Sequence, residues 1–198
     1  MSISFGSVKM FQLKNKNMEY KRKMKFYITG TRRGLGKALL EKYDKIVVYP
    51  TGNMVVGSLI DCDVFINCKH DKFEQVELLY KAGKLKKKII NIGSLASDYT
   101  YLYRYGVEKK ALREANHQLF NDGIDTTIIN FGYIDTERVQ DKDVPKMSVE
   151  YCCGIIHWVL QQPNRIKEIT VCPPEKNIKS NFGPDDDKIK GVAHAKFE

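Results

Sequence analysis

The sequence predicts a doubly wound α/β domain, an open parallel sheet of about six strands with helices on both faces. Three observations carry this. Short β-branched runs alternate with stretches whose apolar residues recur at helical spacing. The runs are apolar throughout, as in strands buried on both faces. A glycine-rich turn separates the first run from the first helical pattern. Right-handed crossovers then leave few other arrangements.

The elements follow in order. Lys25–Thr29 reads as a strand, and Leu35, Ala38, Leu39 and Tyr43 mark the helix after the glycine turn. Lys45–Tyr49 reads as a second strand, stopped by Pro50, and Asp63–Asn67 as a third. A helix is predicted from Asp71, with Phe73, Val76, Leu79 and Tyr80 as its apolar side. Lys88–Ile92 is a fourth strand. Tyr105–Asn121 is a helix with the stripe Val107, Ala111, Leu112, Ala115 and Leu119. Thr126–Phe131 is a fifth strand. Ser148 is an N-cap candidate for a helix ending at Gln161, before Pro163. Glu168–Cys172 is a sixth strand. The expected organisation is a basic leader over 1–23, one domain over 24–174 and a loose tail over 175–198.

Composition narrows the function classes. The chain has 198 residues, 42% hydrophobic and 29% charged, which suits one globular domain. It contains no apolar run long enough to span a bilayer and no secretory-signal pattern near the start, so no membrane partner is expected. The net charge is +9, but residues 1–25 hold seven basic residues and one acid. An excess held in a short leader argues against a nucleic-acid-binding face. The five cysteines form no C-x-x-C pair and share no ligand spacing with the four histidines. Reduced thiols in a cytoplasmic protein without a metal site are therefore expected.

Three motifs carry chemistry. Thr29-Gly-Thr-Arg-Arg-Gly-Leu-Gly36 spaces its glycines G-x-x-x-G-x-G between strand and helix. Gly30 permits the tight turn, Gly34 a close backbone approach to a pyrophosphate, and Gly36 close helix–sheet packing. The helix N-terminus behind them favours anions. Tyr105 and Lys109 lie at i and i+4, on one helical face, where an ammonium favours a phenolate. Lowering a phenol from about 10 to neutrality takes roughly 4 kcal/mol, which calls for a dry site and a second positive charge. Tyr80-x-x-x-Lys84 repeats the spacing, so context decides between the two pairs. Ser94 follows the fourth strand, where ligands of such sheets bind and a hydroxyl can donate to a carbonyl oxygen.

In this order the motifs resemble the short-chain dehydrogenase/reductase family over residues 24–174: T-G-x-x-x-G-x-G, a strand ending at Asn67, Ser94, Y-x-x-x-K, and Phe131-Gly132-Tyr-Ile-Asp-Thr136 in place of P-G-x-x-x-T. The resemblance implies a Rossmann-like fold and an oxidoreductase passing hydride between a nicotinamide and a carbonyl or alcohol carbon of a small-molecule substrate. It implies Tyr105 as general acid/base, Ser94 as the residue polarising the carbonyl, and Lys109 as the holder of the nicotinamide ribose. Gly30, Thr31, Arg32, Arg33, Gly34, Leu35 and Gly36 would form the phosphate turn. Gly132, Ile134 and Thr136 would lie at the nicotinamide, and Asn67 beside the adenosine half. Family members commonly pair through the two helices following Asp71 and Tyr105, which makes a homodimer or homotetramer an expectation, with Phe73, Tyr80, Leu119 and Phe120 as candidate contacts.

The chain departs from the family pattern in places. Asn67-Cys-Lys-His70 replaces N-N-A-G, so bulky side chains stand where the family has small ones. About fourteen residues separate Tyr49 from Asp63, so one edge strand and part of the adenine pocket are expected to be missing. The helical asparagine of the family's proton relay has no counterpart, Gln75 being the nearest amide. The cofactor expected is NADP(H), with NAD(H) as the alternative. No acid stands in Val48–Gly52 to bond a ribose 2′-hydroxyl, and Arg32 and Arg33 offer guanidinium forks for a 2′-phosphate. The rival to an enzyme is a dinucleotide-binding module of the same fold without turnover. A third reading, an interaction scaffold, rests on the basic leader alone.

Overall fold

In a computed structural model, residues 24–43 and 56–174 are described. The predicted strand Lys45–Tyr49, the leader and the tail lie outside the described residues. β1 (Phe26–Ile28), β2 (Val64–Asn67), β3 (Lys88–Ser94), β4 (Thr126–Phe131) and β5 (Glu168–Val171) form one sheet in the order β1-β2-β3-β4-β5, every pairing parallel. The helices are α1 (Gly34–Lys42), α2 (Val56–Asp61), α3 (Glu74–Lys84), α4 (Arg104–Asn121) and α5 (Val149–Gln161).

Strand side chains alternate between two cores because Cβ direction has a period of two. On one face Ile28, Val64, Ile66, Ile90, Ile92 and Ile129 meet Leu35 and Leu39 of α1 and Cys152 and Ile156 of α5. On the other, Tyr27, Phe65, Ile89 and Ile128 meet Leu59 of α2, Leu78 and Leu79 of α3, and Leu112 and Ala115 of α4. Both faces are covered, so the doubly wound expectation holds. Ser148 caps α5 as its position in the sequence predicts, its hydroxyl accepting from Tyr151 N at 3.1 Å.

Two helix faces differ from their apolar periodicity. In α3 the buried side is Gln75, Leu78, Leu79 and Ala82, and Phe73 is exposed ahead of the first turn. In α4 the buried side is Gly106, Glu108, Lys109, Leu112, Ala115 and Asn116, whereas Val107 is exposed. Both shifts have one cause. A polar chain runs between these helices and the sheet, and polar residues take inward positions that hydrophobicity assigns to the surface.

That chain is continuous and fully buried. Asn67 Nδ2 donates to Asn91 Oδ1 at 3.0 Å and to the Gln75 carbonyl at 2.8 Å, and Gln75 Nε2 returns a bond to the Asn67 carbonyl at 2.8 Å. Asn91 Nδ2 donates to Asn116 Oδ1 at 3.0 Å and to Thr126 Oγ1 at 3.1 Å. Asn116 Nδ2 closes the chain on the Lys167 carbonyl at 3.0 Å. Linked in this way the amides fix α3 and α4 on the sheet, with Asn67 Oδ1 left buried without a partner.

Candidate functional site

A cavity of about 740 Å³ opens over the C-terminal ends of β1 to β4. Its floor at β1 is the glycine turn. Gly30 has φ +74°, and a Cβ there would come within 3.0 Å of the Lys69 backbone. A Cβ on Gly36 would collide with the Gly30 carbonyl, so only glycine lets α1 start so close to the turn. Thr29 ties the turn to the next loop, its hydroxyl accepting from Cys68 N at 2.9 Å and Lys69 N at 3.0 Å. No side chain caps the start of α1, which leaves its first N–H groups to a ligand.

Ser94, Tyr105 and Lys109 all line this cavity, with Gly30, Arg32, Arg33, Gly34, Leu35 and Gly36 at the α1 end and Gly132, Ile134 and Thr136 along the roof. Thr31 and Asn67 are outside the lining. Asn67 lies wholly buried under it, in the amide chain. Tyr80 of the competing spacing bonds Gln118 Oε1 at 2.7 Å, away from the cavity. Among the candidate pairing residues, Phe120 is covered by the Arg165 guanidinium, 4.1 Å from its ring centre, and Leu119 packs on Gly83.

Local packing explains why Ser94 and Tyr105 meet. Ser94 ends β3 and its hydroxyl accepts from Ala96 N at 3.2 Å, starting a short 3-10 turn over Leu95–Asp98. α4 begins against that turn. A Cβ on Gly106 would stand 2.6 Å from the Ala96 carbonyl, so this glycine beside Tyr105 sets the approach. Nothing in the sequence alone marks Gly106, because its partner is a backbone atom in another element.

Lys109 is buried, and its ammonium donates to Gln75 Oε1 at 2.7 Å and to the Ile92 carbonyl at 2.8 Å. Its Nζ is 5.5 Å from the centre of the Tyr105 ring. Burial holds its pKa down to about 8. Desolvation against the cavity wall pushes Tyr105 above its ordinary value, although 39% of the residue stays exposed and a hydrogen bond with Ser94 and the Arg138 charge oppose the shift. The lowering expected from the Tyr105–Lys109 spacing calls for a dry site and a second positive charge, and Tyr105 here is open to solvent to that extent. The Lys109 ammonium is committed to Gln75 and Ile92. Gln75 is the helical amide beside the site, reaching Lys109 with its own side chain.

Residues 68–70 bring further groups to the wall. Glu108, buried on α4, accepts from His70 Nε2 at 2.6 Å and from Arg104 Nε at 2.9 Å. The His70 ring meets the Tyr105 ring edge-on, with centroids 4.7 Å apart. Burial and the Lys109 charge hold the imidazole below its ordinary value, against Glu108. Six lysine or arginine side chains (Arg32, Arg33, Lys69, Lys109, Arg138 and Lys142) line the cavity against one acid, Glu137, which favours a polyanionic ligand. The volume falls in the range of ligand pockets, about 300–1,000 Å³. Glycine turn, bare helix N-terminus and basic lining together fit a dinucleotide phosphate. Among the described residues no group of three or more His, Cys, Asp or Glu is placed to hold a metal, and no helix is long and apolar enough to cross a membrane.

Comparison with known proteins agrees with this geometry at the level of the fold. No family model and no curated protein matches the sequence. Solved structures do. A short chain dehydrogenase from Burkholderia cenocepacia J2315 in complex with NADP aligns with TM-score 0.61 at 16% identity, covering 87% of this chain and 98% of its own. A 3-oxoacyl (acyl-carrier-protein) reductase from Agrobacterium tumefaciens C58 with NADP bound aligns with TM-score 0.59 at 13% identity, covering 81% and 98%. A UDP-N-acetylglucosamine 4-epimerase from Bacillus cereus aligns with TM-score 0.60 at 13% identity, covering 75% of each chain. The chain has the Rossmann-like fold of the short-chain dehydrogenases/reductases.

Proposed function

We propose that the protein is an NADP(H)-dependent oxidoreductase acting on a carbonyl or alcohol carbon of a small molecule. One observation carries the reading: Ser94, Tyr105 and Lys109 converge on the cavity whose other end is the glycine turn with Arg32 and Arg33. Two of the neighbouring structures contain NADP, which supports the choice of dinucleotide. The bound nicotinamide would supply or accept the hydride. The chain's own residues would do the rest. The first N–H groups of α1 and the turn around Gly34 would hold the pyrophosphate. Arg33 and Arg32 would hold a 2′-phosphate. Lys109, fixed by Gln75 and Ile92, would hold the ribose with its remaining N–H. Ser94 would donate to the substrate oxygen, and Tyr105 would give it the proton.

The second reading, a dinucleotide-binding module without turnover, is favoured by Cys68, Lys69 and His70, which put large side chains on the cavity wall. One variant separates the two. Tyr105→Phe deletes a single hydroxyl and keeps the ring. With a panel of aldehydes, ketones and 3-oxo esters, the enzyme reading expects NADPH oxidation by the native protein. It also expects loss of about 10²- to 10⁴-fold in the variant, with NADPH affinity retained. NADPH binding with no oxidation across the panel favours the module. Equal turnover of variant and native protein removes Tyr105 from the chemistry.

A further inference from the structure

The segment after β4 forms a loop at the cavity, and its charges are sorted. Two bonds close its base, Asp135 N donating to the Met147 carbonyl and Met147 N to the Tyr133 carbonyl, both at 2.8 Å. Between them Val139 N donates to the Thr136 carbonyl at 2.9 Å, and Lys142 N to the Val139 carbonyl at 3.2 Å. Successive turns of this kind set every third side chain on one side. Thr136, Val139 and Lys142 all line the cavity, with Arg138 between them. Of the loop's acids, Asp135, Asp141 and Asp143 stay out of the lining, and Glu137 alone enters it. A loop of mixed charge thus offers the cavity two cations against one carboxylate.

The other cations of the cavity are committed. Lys69 pairs with Glu74 at 2.7 Å, and Lys109 is bonded to Gln75 and Ile92. Arg32 and Arg33 stand at the α1 end, where the cofactor phosphates are proposed to lie. Arg138 has no such commitment: among the described residues it pairs with no acid. Exposure alone would make it an ordinary surface arginine. Its charge, however, acts on Tyr105, His70 and Lys109 together, which places it at the reacting end of the cavity. Lys142 follows on the same wall, its Nζ 5.1 Å from the centre of the Tyr133 ring. We propose that Arg138, with Lys142 beside it, selects a carbonyl compound bearing an anionic group, a carboxylate or a phosphate ester.

The inference rests on the oxidoreductase reading and gives it a substrate class. The guanidinium fork suits two oxygens of one carboxylate or phosphate, and the ammonium adds a point charge. The substrate's charge is then held by the loop while its carbonyl carbon lies at Ser94 and Tyr105. A competing occupant of the guanidinium is the cofactor pyrophosphate, because the loop also touches the glycine turn: a Cβ on Gly34 would stand 3.2 Å from the Thr136 methyl.

Matched pairs of compounds separate these cases: 2-oxo and 3-oxo carboxylic acids against their methyl esters, and hydroxyacetone phosphate against hydroxyacetone. Affinities are read by calorimetry on the NADP⁺ complex, which has no hydride to give, and kcat and KM are read with NADPH. The charged member should be preferred by roughly 10- to 100-fold in one of the two classes, which also identifies the anion. Arg138→Gln should bring that preference to within about threefold, through KM rather than kcat, and Arg138→Lys should restore part of it. NADPH affinity in Arg138→Gln should stay within about twofold of native. Equal binding of the members of every pair overturns the proposal, as does a native preference retained in Arg138→Gln. A fall in NADPH affinity in Arg138→Gln, with charged and neutral members weakened alike, assigns the guanidinium to the pyrophosphate and also overturns it. Absence of NADPH binding by the native protein is a separate outcome, seen before any pair is tested, and overturns the oxidoreductase reading together with this inference.

Discussion

Replacing Gln75 by leucine probes how Lys109 is held. The volumes are similar and the site is fully enclosed, so the change is mainly one of hydrogen bonding. Three bonds of the Gln75 side chain are lost: with the Lys109 ammonium at 2.7 Å, the Asn67 carbonyl at 2.8 Å and the Ile92 carbonyl at 3.4 Å. Lys109 and the Ile92 carbonyl keep their bond to each other, so the cost to folding is about 1–3 kcal/mol before relaxation. The acceptor favours the charged amine, and a bond to a charged group contributes about 1.5–3 kcal/mol, or 1–2 pK units at about 1.4 kcal/mol each. Lys109 should therefore fall further below its native value of about 8. NADPH fluorescence titrations from about pH 6 to 9 read the result. The native affinity should weaken as pH rises through about 8, where the ammonium is lost. The variant should weaken about one to two units lower, and Gln75→Glu should move the loss above the native position. Superimposable pH profiles for native and Gln75→Leu protein would show that Gln75 does not hold the Lys109 charge.

Further outcomes are expected. Arg33→Asp should narrow or reverse the preference for NADPH over NADH, read by the ratio of their dissociation constants, and an unchanged ratio removes Arg33 from the 2′-phosphate. Gly34→Val should abolish dinucleotide binding, and it should also lower the melting temperature. Gly34 has φ +56° and a Cβ would stand 3.2 Å from the Thr136 methyl, so strain accompanies the blocked approach. Gly106→Ala should push α4 from the Ala96 carbonyl and cost about 1–3 kcal/mol by denaturant melt, with turnover falling further as Tyr105 leaves Ser94. Lys109 also sets a pH dependence of stability. Its folded pKa of about 8 is below the ordinary 10.5, so the unfolded chain binds the extra proton between them and the native state gains stability as pH rises through that window. The gain is up to roughly 3 kcal/mol, and Lys109→Met should flatten it.

What the sequence made legible is local. The β-branched runs of β2, β3 and β4, the Ser148 cap and the G-x-x-x-G-x-G turn are read from neighbours within a few positions, and the structure has them where expected. The inward faces of α3 and α4 were not legible, because Gln75, Glu108, Lys109 and Asn116 are buried by partners rather than by hydrophobicity. The partners are distant in sequence: Gln75 meets Lys109 across 34 positions, and His70 meets Glu108 across 38. No periodicity carries such pairings. His70 reads in the sequence as a bulky departure at a small-residue position, and only the fold shows the carboxylate that orients it and the tyrosine it touches.

One cavity joins the glycine turn to the Ser94, Tyr105 and Lys109 end, and the proposed function makes that turn a phosphate site. A fluorescence titration of the native protein with NADPH and NADH, repeated with Lys109→Ala, decides whether it is one. Saturable NADPH binding in the micromolar range is expected, with NADH weaker by about tenfold and an affinity loss in Lys109→Ala of roughly tenfold or more. Absence of NADPH binding at about 1 mM, or binding that Lys109→Ala leaves unchanged, would remove the dinucleotide from this cavity.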